Sequence, residues 1–347
     1  MHSINKISVL IVDDSFFMRK MLREILESDP KILVVGTAKD GEEAVVKSLE
    51  LNPDVITMDY NMPIKNGVEA IKEILKLNVV KKPSVIMISA HTTSGSSEAL
   101  DCLRCGAVDF ITKPSGELSM DIDKMKDEIL LKIHMASMAK VTVYPKHKKM
   151  GIQEKIESSV LAENVIVIGA STGGPPLVED IIEMLPKDLS ATVIIAQHMP
   201  PYFISRFAER LDKLTPLSVS EAKDGDYLTM GKVYLVPADF DFVILENKTI
   251  RLNTLSYFEG ANPSIDRAME SVVRVYGKKV VGVILSGMGQ DGLIGAKRIK
   301  QAGGVMIAQE PSTAAIDSMP NAIISAGLAD KILSPNEIPI GFISLIK

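Results

Sequence analysis

Strand-length apolar runs that alternate with amphipathic segments, twice over and with a lysine-rich break between, predict an α/β protein of two domains. A length of 347 residues supports two cores, since domains commonly run to about 100 to 200 residues. Apolar residues make up 46 % of the chain and charged residues 24 %, which is enough apolar surface to bury and no case for disorder.

The first run of elements extends from Lys6 to about Pro114. It reads ISVLIVDD, SFFMRKMLREILES, ILVVGTA, EEAVVKSLELN, DVITMDY, GVEAIKEILKLN, SVIMISA, SSEALDCLRCG and DFITKP, strands alternating with helices as βαβ units on a parallel sheet require. The two aspartates that end the first apolar run fit a buried strand rather than a signal peptide or membrane anchor, so a cytoplasmic location without membrane insertion is expected. Cys102 and Cys105, the only cysteines, lie among apolar residues at helical spacing and read as buried structural thiols. In DIDKMKDEILLKIHMASMAKV, the residues Ile122, Met125, Ile129, Ile133 and Val141 fall roughly on one helical stripe. YPKHKKMGIQEKIESSV then shows no strong period and reads as a linker. The expected division is a first domain over 1–120, a terminal helix and linker over 121–160, and a second domain over 161–347.

In the second half VIVIGA leads into PPLVEDIIEML, whose prolines suit a first helical turn and whose Leu177, Ile181, Met184 and Leu185 share a face. ATVIIAQ, VVGVILS and VMIAQ read as further buried strands, and KVYLVPADFDFVIL reads as a hairpin with a loop. A doubly wound, mainly parallel sheet is expected. The net charge is −5, and from Ile152 onward 18 Lys and Arg face 23 Asp and Glu, so the second half carries the acidic excess. A strand-rich, acidic effector argues against nucleic-acid binding and hence against a DNA-binding regulator.

In the first half Asp13 and Asp14 end the first strand and Asp59 ends the third. The carboxyl ends of parallel strands share one edge, where ligands bind, so the three carboxylates converge and call for a hard cation such as Mg²⁺. The suggested chemistry is a carboxylate that accepts a phosphoryl group. At two later strand ends, Ser89 could bond a phosphoryl oxygen and Lys113 could pair with its charge. Asp-Asp, Asp, Ser and Lys-Pro at successive strand ends resemble the response-regulator receiver family, a (βα)5 flavodoxin-like fold. The resemblance implies that a histidine kinase phosphorylates Asp59, and that Asp14, Asp59 and the backbone carbonyl of Asn61 hold Mg²⁺, Asp13 helping through the metal's water shell. It implies also that Ser89 and Phe110 couple phosphorylation to the surface and that the Lys113-Pro114 bond is cis.

Gly169-Ala170-Ser171-Thr172-Gly173 fits the G-x-S-x-G pattern of a nucleophile on a tight strand-to-helix turn. The same residues also suit a glycine-rich turn in which Ser171 merely caps a helix. Neither G-x-G-x-x-G nor GK[ST] is present, so dinucleotide and nucleoside-triphosphate loops are disfavoured. A serine nucleophile needs a base, and His198, at the end of the next parallel strand, is the only histidine of the second domain. Asp291, in a glycine-rich loop beyond another buried strand, suits the orienting acid; Asp239, Asp241 and Asp266 remain candidates, and Asp291 could equally cap a helix. The order Ser, His, Asp disfavours a standard α/β-hydrolase.

IGASTGG, QHMPPYF with SRFAERL, EAKDGD, NPSID, GVILSGMGQDG, GAKRIKQAGG and SMPNAI, in this order, resemble the chemotaxis methylesterases of the CheB type, and with the receiver they span nearly the whole chain. The resemblance implies a Ser171, His198, Asp291 triad, with Thr172 supporting the histidine and the Met288 amide contributing to the oxyanion hole. It implies hydrolysis of glutamate methyl esters and deamidation of glutamines on chemotaxis receptors, with no cofactor for the esterase chemistry. The unphosphorylated receiver is expected to sit over the Ser171 edge and hinder receptor access. Ala261-Asn262 departs from the more polar or basic pair of many relatives, which weakens any transfer of substrate contacts there. The remaining alternative is an inert docking protein in which Ser171 and His198 are structural.

Overall fold

The structure, a computed structural model, describes residues 6–79, 81–89, 93–113, 121–143, 155, 158–254 and 263–346. The chain forms two compact units, Met1–Lys146 and His147–Lys347. In the first, strands β1 (Ile7–Val12), β2 (Ile32–Ala38), β3 (Val55–Asp59), β4 (Ser84–Ser89) and β5 (Asp109–Thr112) alternate with helices α1 (Phe16–Glu27), α2 (Gly41–Leu51), α3 (Gly67–Ile74), α4 (Thr93–Cys105) and α5 (Asp121–Met138). The strands pair in parallel in the order β2-β1-β3-β4-β5. Side-chain caps start the helices where the sequence turns polar: Ser15 accepts from Met18 N–H, Asp40 from Glu43 N–H, and Asn66 forms a capping box with Glu69. Ile129 and Ile133 of α5 are buried with Val9, Ile11, Leu22 and Leu26, and Met125 packs on them, so α5 completes the first core. Val141 lies beyond the helix, and the side chain of Ile122 lies outside the described residues. Cys102 is buried as expected, whereas Cys105 is only half-buried.

The second unit carries β6 (Asn164–Ala170), α6 (Pro175–Glu183), β7 (Ala191–Gln197), α7 (Pro201–Asp212), β8 (Ser218–Glu221), β9 (Lys232–Leu235), β10 (Phe240–Ile244), β11 (Ile250–Thr254), α8 (Ile265–Tyr276), β12 (Val280–Ile284), α9 (Leu293–Gln301), β13 (Val305–Gln309), α10 (Ser318–Ser325), β14 (Lys331–Leu333) and α11 (Ile338–Ile343). Seven strands pair in parallel in the order β14-β13-β12-β6-β7-β9-β8. The chain leaves β6 toward β7 and later returns to β12 on its other side, which makes the end of β6 the topological switch point. β6, β7 and β12 have the continuous apolar burial of strands covered on both faces.

Two expectations change in the second unit. KVYLVPADFDFVIL is not a hairpin: β9 joins the parallel sheet beside β7, and β10 pairs antiparallel with β11. The reason is burial, since Val233, Tyr234 and Leu235 are fully covered as a sheet strand requires, and the chain leaves the sheet after Leu235 and turns at Asp239 with φ 65°. Met184 ends α6 at its C-cap and is exposed, while Val178 and Ile182 join Leu177, Ile181 and Leu185 in the core. Lys155, from the stretch read as linker, is anchored: its ammonium donates to the Asp212 carboxylate at 2.9 Å and to the Thr215 and Leu217 carbonyls at 2.9 and 2.8 Å.

Helix α8 approaches β6 closely because Gly169 has no side chain. A Cβ there would run into Ile265 Cγ2 and lie 3.0 Å from Ile284 Cδ1. Gly169→Ala should cost the second unit about 1–3 kcal/mol through overpacking. Urea unfolding checks this, the transition of the second unit moving to lower denaturant and that of the first staying in place.

Candidate active site

Backbone hydrogen bonds continue past the ends of three neighbouring strands and hold their loops together. Ser171 N–H donates to Ser286 O at 3.0 Å, His198 N–H to Ala170 O at 2.9 Å, and Leu285 N–H to Gly169 O at 2.9 Å. Ser171, His198 and the 285–291 loop therefore meet on one edge. The turn after Ser171 closes with Gly173 at φ 74° and the Gly174 N–H donating to Ser171 O at 2.8 Å. Gly287 packs flat on the serine: a Cβ there would lie 2.7 Å from Ser171 Cβ and collide with Met319 Sδ.

His198 bridges the other two side chains. Its Nδ1 is 3.1 Å from Ser171 Oγ and its Nε2 is 2.8 Å from Asp291 Oδ2. An ionised carboxylate only accepts, so Nε2 carries the proton and Nδ1 is left to accept from the serine hydroxyl. Asp291 also receives the first N–H groups of α8, Ile265 on Oδ2 at 2.8 Å and Asp266 on Oδ1 at 2.9 Å. Burial opposes its ionisation, but the His198 bond and the Asp266 and Ile265 N–H groups prevail and hold its carboxyl below the ordinary carboxylate range. Asp291 does not cap α9; it caps α8 from outside. Of the other acids, Asp241 pairs with Arg267 at 3.0 Å, Asp239 is exposed, and Asp266 accepts from Gly295 N–H at 2.7 Å.

Thr172 is buried, and its carbonyl accepts from Ser286 Oγ at 2.8 Å. Met288, half-buried, follows Gly287 in the loop over Ser171, and among the described residues its N–H has no acceptor. The reading of the sequence missed Gln197, which is buried and whose amide donates to Ser171 O at 3.0 Å and His198 O at 3.1 Å. Its signal was a polar residue closing an apolar strand just before the histidine. Ala261 and Asn262 lie outside the described residues.

In the first unit, carboxylate oxygens of Asp13, Asp14 and Asp59 come within 4.8 Å of one another. Lys113 Nζ lies 3.0 Å from Asp13 Oδ2 and 2.9 Å from Asp59 Oδ2. Burial, with the charge of Asp13 added, raises the pKa of Asp59 despite Lys113 and the Tyr60 N–H. Such crowded oxygen donors suit a hard divalent cation. The Asn61 side chain is exposed and donates to Glu98 Oε2 at 3.3 Å. Phe110 is buried, with Lys132 Nζ 5.1 Å from its ring centroid. Ser89 closes β4, but its side chain and Pro114 lie outside the described residues.

Comparison with known proteins places both units. The family described as CheB methylesterase matches residues 166–341, and the response regulator receiver domain matches residues 9–122. A protein-glutamate methylesterase/protein-glutamine glutaminase of Thermotoga maritima is 41 % identical over 347 residues, 98 % of each chain. That of Pyrococcus horikoshii is 40 % identical over 341 residues, 96 % of this chain and 92 % of the relative. The crystal structure of the Thermotoga maritima CheB methylesterase catalytic domain aligns with a TM-score of 0.51 at 37 % identity, over 52 % of this chain and 98 % of that one. A receiver fold followed by an α/β catalytic unit, matched over nearly the full length, means that the chain belongs to the CheB family of chemotaxis protein-glutamate methylesterases/protein-glutamine glutaminases.

Proposed function

We propose that Ser171, His198 and Asp291 perform the hydrolysis, on chemotaxis receptors, and that phosphorylation of Asp59 activates it. The observation that supports this most is His198, within hydrogen-bond reach of Ser171 and Asp291 at once. Ser171 Oγ attacks the γ-carbonyl of a glutamate methyl ester while Nδ1 takes its proton. The imidazolium is stabilised by Asp291, which the start of α8 keeps ionised. Nδ1–H then protonates the leaving methoxide, releasing methanol. Water, deprotonated by the same nitrogen, frees glutamate from the acyl-enzyme. A glutamine substrate follows the same steps and releases ammonia.

The oxyanion requires N–H donors that are not already spent. Gly174 N–H is engaged by the Ser171 carbonyl, whereas Met288 N–H, in the loop over Ser171, has no acceptor among the described residues and is taken as the donor. Thr172, next to the nucleophile and buried, supports the histidine on this reading.

In the receiver, Asp59 is the phosphoryl acceptor for a histidine-kinase donor, and Asp14, Asp59 and the Asn61 carbonyl would hold Mg²⁺ with Asp13 behind them. Bound Mg²⁺ neutralises charge on the acceptor and the incoming phosphoryl group. Lys113, already on Asp13 and Asp59, is placed to pair with the phosphoryl oxygens. Ser89 and Phe110 would couple the added charge to the surface.

Ser171→Ala should abolish methanol release from methylated receptor membranes and remove labelling by a fluorophosphonate, with the fold kept by circular dichroism; residual turnover near wild type would defeat the nucleophile assignment. A small phosphodonor with Mg²⁺ should speed the wild-type chain and leave Asp59→Asn at its basal rate. Because its folded pKa is raised, ionised Asp59 weakens the receiver as pH rises through that pKa, and a cation should relieve the penalty. At 100 times its dissociation constant Mg²⁺ should therefore stabilise the receiver by about 2.7 kcal/mol. Thermal unfolding at neutral pH should register this gain, and Asp14→Ala should lose most of it.

A further inference from the structure

Two helices of the catalytic unit begin side by side, and each start is capped by an aspartate from the other. Asp291, just ahead of α9, accepts from the Ile265 and Asp266 N–H groups at the start of α8. Asp266, the second residue of α8, accepts on Oδ1 from Gly295 N–H, in the first turn of α9, at 2.7 Å. Glycines allow the approach: a Cβ on Gly295 would collide with Met269 Cβ and lie 3.2 Å from Asp266 O, and one on Gly292 would lie 3.1 Å from Ile265 Cγ2. The Asp291 carboxylate thus has its two oxygens aimed by α8, and α8 is tied to the Asp291 loop by Asp266.

We infer that Asp266 is a positioning residue for the hydrolysis: it locks the starts of α8 and α9 together, fixes the Asp291 carboxylate on His198 Nε2, and adds a second negative charge behind the imidazolium. The inference rests on the Ser171, His198, Asp291 reading. The groups that face Asp266 are the Asp291 carboxylate from the loop ahead of α9, with His198 beyond it, and the backbone of Gly292, Ile294 and Gly295 from α9. Its neighbour Arg267 is directed to Asp241 of β10. Burial, opposed by the α9 N–H groups and reinforced by the charge of Asp291, raises the pKa of Asp266 to about 6. Above that pH the Asp266 carboxylate stands as a second negative charge behind Asp291.

The charge and the cap can be separated by substitution. Asp266→Ala removes both; Asp266→Asn keeps an acceptor for Gly295 N–H and removes the charge. On the full chain with phosphodonor and Mg²⁺, methanol release gives kcat, KM and the pH dependence of kcat/KM. Asp266→Ala should lower kcat about tenfold, the scale of a small misalignment of reacting groups, with KM within about twofold. Asp266→Asn should recover most of kcat, yet move the acid limb of kcat/KM to lower pH, since one of the two negative charges behind the imidazole is then gone. A limb unmoved in Asp266→Asn overturns the inference, and that variant serves if Asp266→Ala does not fold. Asp291→Asn is the control: wild-type kcat there overturns the triad itself, whereas a slow Asp291→Asn beside an unmoved Asp266→Asn overturns only the role of Asp266.

Discussion

An imidazole presents its two nitrogens on different edges of a flat ring, and a hydroxyl and a carboxylate must meet those edges at the same time. In this chain the requirement is met by strand order. β12, β6 and β7 are neighbours, and the residues that leave their carboxyl ends bring Asp291, Ser171 and His198 to one edge. The switch of direction at β6 opens the crevice between loops that run away from each other. Nδ1 faces the serine and Nε2 the acid, so the tautomer is set by which nitrogen the ionised carboxylate occupies.

Packing around that edge serves the same end. Ile265, the first residue of α8, lies where side chains on Gly169 and Gly292 would go, so the helix start is seated against both the strand and the acid's loop. Two N–H groups of that helix start hold Asp291, and one amide, Gln197, ties the backbones of Ser171 and His198. The polar atoms that surround the triad are mostly main chain, which limits how far side-chain motion can spoil its alignment.

Strand-length apolar runs and the residues that follow them made the architecture and the two polar edges readable, because burial on both faces leaves a continuous hydrophobic signature. Ser171, His198, Asp291, Asp13, Asp14, Asp59 and Lys113 all follow or close such runs, and the structure brings them together as two clusters. What failed was pairing. Periodicity reports that β9 and β10 are extended and buried, but not which strand each joins, and the hairpin was misplaced for that reason. Asp291 could be read as capping its own following helix; only the approach of α8, some 25 residues earlier in the chain, gives it another helix to cap. Met184 shows the smaller limit, since helical spacing continues past the residue where the helix stops.

The two polar edges use similar carboxylates to opposite ends. Asp291 is half-buried with amides and an imidazole pointed at it, so its charge is satisfied and its pKa falls. Asp59 is buried beside another carboxylate, and Lys113, which it shares with Asp13, with the Tyr60 N–H, does not offset that burial; its pKa rises. A satisfied carboxylate suits a residue that must stay ionised through every turnover. A carboxylate whose charge is opposed by burial and a like neighbour would make the proposed site responsive, because a cation or a covalent group that removes the conflict changes the free energy of the surrounding loops by a comparable amount. On the roles proposed, the catalytic edge is built for constancy and the receiver edge for change, and the difference lies in the N–H donors and the neighbouring carboxylate that each fold directs at its aspartate.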